Sequence, residues 1–403
     1  PSTSDPPGVT DVAGLVALRI VNLHVNRFTR SLCVTAAAAL AVGTLSACGS
    51  DDPVDNAPVA GEPAEPVDSA DTSPGTGKLL EIGKPTLGAA RVGLSDDESA
   101  PGANLVAVLT KGEVFFVDAA NPTDEPRQVD IDDSCDNISS TSTGVAVACQ
   151  DKAIELGPDG KEKRSLEVDG KVTTVTFLDN GKAVLGKAGE DKAHFYDKDG
   201  NETGDAIVSR SIDEAVLVKP HGRGQRVALI DRGQTSIHDV NVDDGSLNAS
   251  LRIGQGVGQV AAGRGDDGVV IASDTRQNQM LVYTMNDVVR LHQSAPTKES
   301  PWAVTWDSKR KLAWVGSTER NSLSAFRIDS GAPAKVAEVV APSYARAALD
   351  TANGAVVVVT KDGRVNVYEA KDLDELVKRE RHSSQGDYLS LIHISEPTRP
   401  LYI

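Results

Sequence analysis

The 403-residue sequence is poor in aromatics, at 4%, and holds only four cysteines, two methionines and seven histidines. Four cysteines exclude a disulfide-dense scaffold. No two histidines stand at a ligand-like local spacing, so a zinc site would have to be gathered from distant loops. Cations are outnumbered, with 41 Lys and Arg against 58 Asp and Glu and a formal charge of −17. That balance argues against a nucleic-acid binder, which needs clustered Lys and Arg for phosphate contacts. There is no Gly-x-Ser-x-Gly elbow, no His-Glu-x-x-His and no phosphate loop. Gly254-Gln255-Gly256-Val257-Gly258 has the wrong spacing for a dinucleotide and no helix after it. Asp197-Lys198-Asp199-Gly200-Asn201 mimics the start of a calcium loop but lacks its twelfth-position Glu, and reads as a hairpin turn. The hydrophobic share is an ordinary 39%, enough for a core.

The two ends differ from the middle. Arg27 and Arg30 precede an Ala-, Val- and Leu-rich run, Ser31 to Leu45, shorter than the ~20 apolar residues that span a bilayer. It fits the apolar part of an export signal. The run ends in Leu45-Ser46-Ala47-Cys48, which resembles the lipobox of bacterial lipoproteins. In that family the signal is cut before the Cys, which is diacylated. The resemblance implies that residues 1–47 are upstream residues and signal peptide. It further implies that Cys48 is lipidated and that the domain is extracytoplasmic, anchored to the cell membrane. The Ala, Val and Asp bias fits a high-GC, actinobacterial-type source. Residues 48–77 are expected to be an acidic, Pro-rich tether. From Gly49 to Gly77 there are five Pro, seven Asp or Glu and no Lys or Arg, a composition that does not fold by itself. Residues 389–399, Leu-Ser-Leu-Ile-His-Ile-Ser-Glu-Pro-Thr-Arg, resemble translated sequencing adaptor. Residues 389–403, His393 included, are therefore expected to be a non-native tail.

Between the ends lies a repeat. Apolar runs recur at Leu105–Leu109, Val145–Cys149, Ala183–Leu185, Val227–Ile230, Val269–Ala272, Leu312–Val315 and Ala355–Val359. Their starts are 40, 38, 44, 42, 43 and 43 residues apart, the spacing of four-stranded propeller blades. Each is preceded by an inner strand, such as Ala90–Leu94, Val172–Leu178 or Trp302–Trp306. Turns such as Asn180-Gly181, Asp267-Gly268 and Asn353-Gly354 suit two-residue hairpins. The runs Val270-Ile-Ala-Ser-Asp274 and Ala313-Trp-Val-Gly-Ser317 resemble YVTN-type and WD40-like repeats. The resemblance implies an all-β fold over residues 78–388, a β-propeller with seven blades visible. An eighth is possible if the chain is truncated. Leu79–Ile82 and Leu376–Arg379 both read as candidates for the outermost strand of blade 7.

Cys135 and Cys149 flank a hairpin turn and are expected to form a disulfide across its two strands. The loop between the second and third strands carries a cation in every repeat: Lys111, Lys152, Lys192, Arg232, Arg276, Arg320 and Arg364. In a closed ring these loops share one face, which could steer an anionic ligand. The competing reading is local pairing with adjacent acids such as Asp231, Asp274 and Asp362. Trp302 and Tyr344, at the starts of inner strands, are expected to edge the same face. The leading functional expectation is a non-enzymatic module that binds an envelope protein or anionic ligand, monomeric, without cofactor or metal. A small-anion or metal-binding protein serving a transporter is the second reading. A lactonase-type or cofactor-dependent propeller enzyme is the third, and the missing His and carboxylate clusters count against it.

Overall fold

Runs such as Val145–Ala148 and Val356–Thr360 are buried at every residue, because sheet covers them on both faces. Outer strands such as Glu202–Ile207 are exposed at nearly every position. This gradient from dry inner to wet outer strands fits blades standing around an axis. The computed structural model describes residues 61–380, so Cys48, the expected export signal and the expected non-native tail over 389–403 lie outside the described residues. The strands form seven four-stranded antiparallel sheets. Their innermost strands contact one another in a ring, from Thr86–Arg91 of blade 1 round to Ala345–Asp350 of blade 7.

The apolar core divides into seven clusters, each sealing one boundary between adjacent blades. Leu109, Phe116, Val145 and Ile154 pack blade 1 on blade 2. Ile230, Ile237, Val270 and Tyr283 pack blade 4 on blade 5. Cys135 and Cys149 lie in the first of these seams, joined by a disulfide that spans 14 positions of sequence.

Blade 7 is completed by the N-terminal part of the described chain. Lys78–Glu81 pairs antiparallel with Arg364–Tyr368, setting Leu79 opposite Asn366 and Leu80 opposite Val365. Leu376–Arg379, expected as a rival strand, lies instead in a helix over residues 370–380. The reason is in its spacing: Leu373, Leu376 and Val377 fall on one helical face and pack against blades 6 and 7. Among the described residues the ring therefore closes at seven blades. Blade 1 also starts earlier than expected, at Thr86–Arg91. The left-handed Gly93, φ 76°, ends that strand before Leu94.

A second departure concerns residues 61–77, expected to stand free as tether. They lie against the propeller, with Ala64 and Pro66 buried. Their hydrogen-bond partners are side chains hundreds of positions away, such as Ser300 and Ser343. No local pattern in the segment could announce those partners.

The closing strand makes a testable distinction. Leu80 packs into the seam between blades 7 and 1, whereas Leu79 on the opposite face is 46% exposed. Leu80→Asp should lower unfolding free energy by about 2 kcal/mol or more. Leu79→Asp should stay within about 0.5 kcal/mol of the parent. Urea unfolding of both variants checks it.

Candidate functional site

The channel at the axis opens as a funnel on the face that carries the second-to-third-strand loops. Its volume is about 420 Å³. The lining includes Leu87, Asn137, Glu214, Trp302 and Arg346 from the inner strands, with Arg232 and Lys361 from the loops. Strand irregularity sets these side chains. In five blades the innermost strand slips register against the second strand at its funnel end. Leu87, Trp302 and Arg346 each sit at such a slip. A bulge turns a side chain out of the ladder, and here it delivers three of them to the mouth. Glu214, Gly258, Trp302 and Arg346 follow one another at 44-residue steps, so they are equivalent positions of successive blades.

Arg232 is the best-anchored cation of the mouth. Its guanidinium donates to Glu214 at 2.8 Å and to the Gly258 carbonyl at 2.6 Å, and lies over the Trp302 ring at 5.5 Å. Burial pushes the Glu214 carboxyl above its ordinary range, the Arg232 charge draws it back and Asp213 pushes it up again. Trp302 is fixed by its indole N–H, which donates to the Arg346 carbonyl at 3.1 Å. The two glycines nearby serve packing. A Cβ on Gly254 would come within 1.8 Å of Asp274 Oδ2, and one on Gly258 within 2.5 Å of Ser273 Oγ. The Gly254–Gly258 stretch is thus a tight entry into an inner strand.

Gln259 forms the floor. Its Oε1 accepts from Val304 N–H at 2.9 Å and Ala348 N–H at 3.0 Å, tying blade 5 to blades 6 and 7. Gln259 also lines a smaller cavity beneath, of about 60 Å³. At the far end of the channel the carboxylate of Asp350 meets Arg91 at 2.7 Å and Arg264 at 3.5 Å, all nearly buried. Burial pulls the Arg264 guanidinium down to about 10, with Asp350 opposing, so it stays charged at neutral pH. Its N–H groups are taken up by the carbonyls of Gly93, Ser95 and Asp350.

The cations expected as a ring do share this face, but only Arg232 lines the funnel. Arg320 pairs bidentately with Glu299 and holds that carboxyl at about 2. Lys192 meets Asp205 at 3.1 Å. Arg276 donates to the carbonyls of Gln255 and Glu62. Arg364 pairs with Asp362 and donates to the carbonyls of Ser73 and Ser343. Lys152 lines a separate cleft with Asp130, Asp132 and Glu162, where its charge helps to lower the Asp132 carboxyl behind the larger effect of the Ser134 hydrogen bonds. The acids beside the cations in sequence mostly do other work. Asp231 and Asp274 are buried and accept turn N–H groups, from Gln234 at 2.7 Å and Gly256 at 3.0 Å. Tyr344 does not line the funnel; it is half-buried with φ 64°. Leu87, Arg346 and Lys361 escaped the sequence reading, although the 44-residue step from Trp302 to Arg346 was there to be followed.

The histidines stand apart. His194 lies between Glu190 at 2.9 Å and Glu202 at 2.8 Å on blade 3. His221 is exposed beside Asp266, and His292 bonds Thr284. His238 is buried between Ser236 and Ser250. Among the described residues no three His, Cys, Asp or Glu gather as a metal-binding group.

No family model matches the chain, and no curated protein matches it. Solved structures do. The chain is similar to one in the crystal structure of a mitotic checkpoint complex, at 13% identity and TM-score 0.58, covering 81% of this chain and 98% of that one. It is similar to the β-propeller domain of Myceliophteria thermophila Cps50 (Swd1) at 10% identity and TM-score 0.56, covering 73% of this chain and 99% of that one. The fold is a WD40-like β-propeller. At such identities the likeness speaks for the fold alone.

Burial lowers the imidazole of His238 to about 4. Its folded form is thus neutral, while the unfolded chain takes up a proton near pH 6.5. The resulting stability is present above pH 6.5 and lost as pH falls toward 4. His238→Gln should flatten this acid limb by about 3 kcal/mol, read as unfolding free energy at pH 7 and pH 4.

Proposed function

We propose that this protein is a lipid-anchored, extracytoplasmic, non-enzymatic propeller that captures a protein partner at the cell envelope through its funnel mouth. The propeller fold is consistent with a protein-binding module. The observation that carries the reading is the make-up of the mouth. Apolar Leu87 and Trp302 stand beside Arg232, Arg346 and Lys361, with Asp213 and Glu214 as counter-charges. Trp and Arg are the residues on which binding energy at protein interfaces concentrates. Mixed charge around an aromatic wall suits a polypeptide surface better than a single small anion.

The anchor part of the proposal rests on the Arg27, Arg30, Ser31–Leu45 and Cys48 pattern. Two acyl chains on one Cys would hold the protein stably, where a single chain is marginal.

Trp302→Ala combined with Leu87→Asp should weaken capture of a cross-linked envelope partner roughly thirtyfold, as loss of about 2 kcal/mol implies. Arg320→Ser, outside the funnel and already satisfied by Glu299, should leave capture unchanged. Equal capture by all three proteins would remove the mouth as the binding surface. Separately, Cys48→Ala should move the protein from the membrane fraction to the soluble one. Retention in the membrane fraction would refute the anchor without touching the mouth.

A further inference from the structure

Residues 61–77 cross the funnel face over blades 5, 6 and 7 before entering the closing strand Lys78–Glu81. Propeller side chains grip mostly the main chain of this strap. Ser300 Oγ accepts from Val67 N–H at 2.8 Å, and Ser343 Oγ accepts from Ser73 N–H at 2.7 Å. Asn321 donates to the Asp71 carbonyl at 2.8 Å, and Arg364 and Asn366 donate to those of Ser73 and Pro74 at 3.1 and 2.7 Å. One strap side chain is in an ion pair: Asp68, which meets Arg346 through both guanidinium amino groups at 3.1 and 3.2 Å. A groove built this way selects extended backbone together with one carboxylate.

The strap's own sequence matches that selection. Glu62, Glu65, Asp68 and Asp71 recur every third residue, among Pro63 and Pro66. Three residues is the turn of a polyproline II segment, which needs no internal hydrogen bonds. Residues 63–69 take no helix, strand or turn. Arg276, Arg346, Lys361 and Arg364 supply complementary charge on this face.

The strap is also weakly held. Beyond Ala64 and Pro66 it buries little, and Val67 is 55% exposed. Segments fixed by rim hydrogen bonds with few buried apolar contacts open far more readily than core strands. The closing strand is separate, with a regular ladder of its own, so the strap can lift while the ring stays shut.

We propose that the groove over blades 5–7 is a binding site for an extended acidic peptide of a partner protein. Residues 61–73 occupy it in cis as an exchangeable stand-in, latched by Asp68 on Arg346. This rests on the protein-binding reading above and names the class of partner. Lifting the strap removes Pro63, Ala64 and Glu65 from the funnel wall and frees Arg346, so groove and mouth become one surface. A tethered strap competes at an effective concentration on the order of millimolar, which keeps weaker ligands out.

The probe is a synthetic peptide with the sequence of residues 61–73, titrated into the full chain. Parent protein should show little binding. Asp68→Arg, which sets two cations against each other, should raise amide exchange at Val67 and Ser69 and bind the peptide at least tenfold more tightly. Adding Arg346→Asp restores the pair with its charges reversed. It should reseat the strap and abolish peptide binding, which also shows that the variants fold. Two results would overturn the proposal: Asp68→Arg with an opened strap that ignores the peptide, or Asp68→Arg with amides as protected as in the parent. Either leaves the Trp302 and Leu87 test of the mouth intact, so the two readings can fail separately.

Discussion

Everything in this molecule depends on one non-local pairing, between Lys78–Glu81 and Arg364–Tyr368. Seven sheets stacked around an axis leave two ends that must meet. Without the closing strand, blade 7 would present Arg364–Tyr368 as an open ladder edge, a template for pairing with other chains. Closure packs the half-buried Leu80 and Ile82 against the seam between blades 7 and 1. It thereby holds the inner strands in the ring that creates a channel at all. The entropic cost of joining such distant segments grows only slowly with loop length, whereas each inter-blade seam adds a full apolar cluster. The disulfide acts locally within this plan, pinning the seam between blades 1 and 2 around one hairpin.

The two ends of the channel have opposite characters because buried charge is handled differently at each. At the far end one carboxylate, Asp350, faces two arginines, and backbone carbonyls take up the remaining N–H groups of Arg264. Such a cluster is strongly destabilised if a member is removed, so it acts as a stopper. At the funnel end the pairs are less deeply buried, and Arg232 and Arg346 each hold one carboxylate. A carboxylate held by one partly covered guanidinium is given up more readily than one locked between two buried arginines. Of the two channel ends, the funnel end is therefore the one whose charges can answer to a ligand.

Much of this was legible in the sequence, and the exceptions have physical causes. The recurring apolar runs gave the second strands of all seven blades, since double-sided burial demands unbroken Val, Ala and Ile. The turn dipeptides fall between inner and second strands as expected, but the loops are longer than two residues, because Phe177 pairs with Ala183, Ala262 with Val270 and Asp350 with Val356. Cys135 and Cys149 are joined by a disulfide just outside the two strands of the hairpin they flank. What composition could not show was the register slip that brings Leu87, Trp302 and Arg346 to the mouth. A bulge adds one residue to a ladder without changing residue type. Leu376–Arg379 looked like strand because four residues cannot distinguish a strand from one turn of helix. Only the longer spacing with Leu373 decides it. The cation ring was visible as a period, but its partners were not: Glu299, Asp205 and Glu214 come from other loops and strands than the acids next in sequence.

The strap is the sharpest such case. Judged by its own residues, a Pro-rich acidic segment has no means to order itself. It is ordered here because the surface it crosses supplies Ser300, Thr318, Asn321, Ser343 and Asn366 at its main-chain groups. Those polar residues face a groove that apolar strands could not have made, and they would need other partners if the strap were absent. The order of the strap therefore belongs to the blades. A surface able to order one extended acidic segment has, by the same contacts, the means to order another.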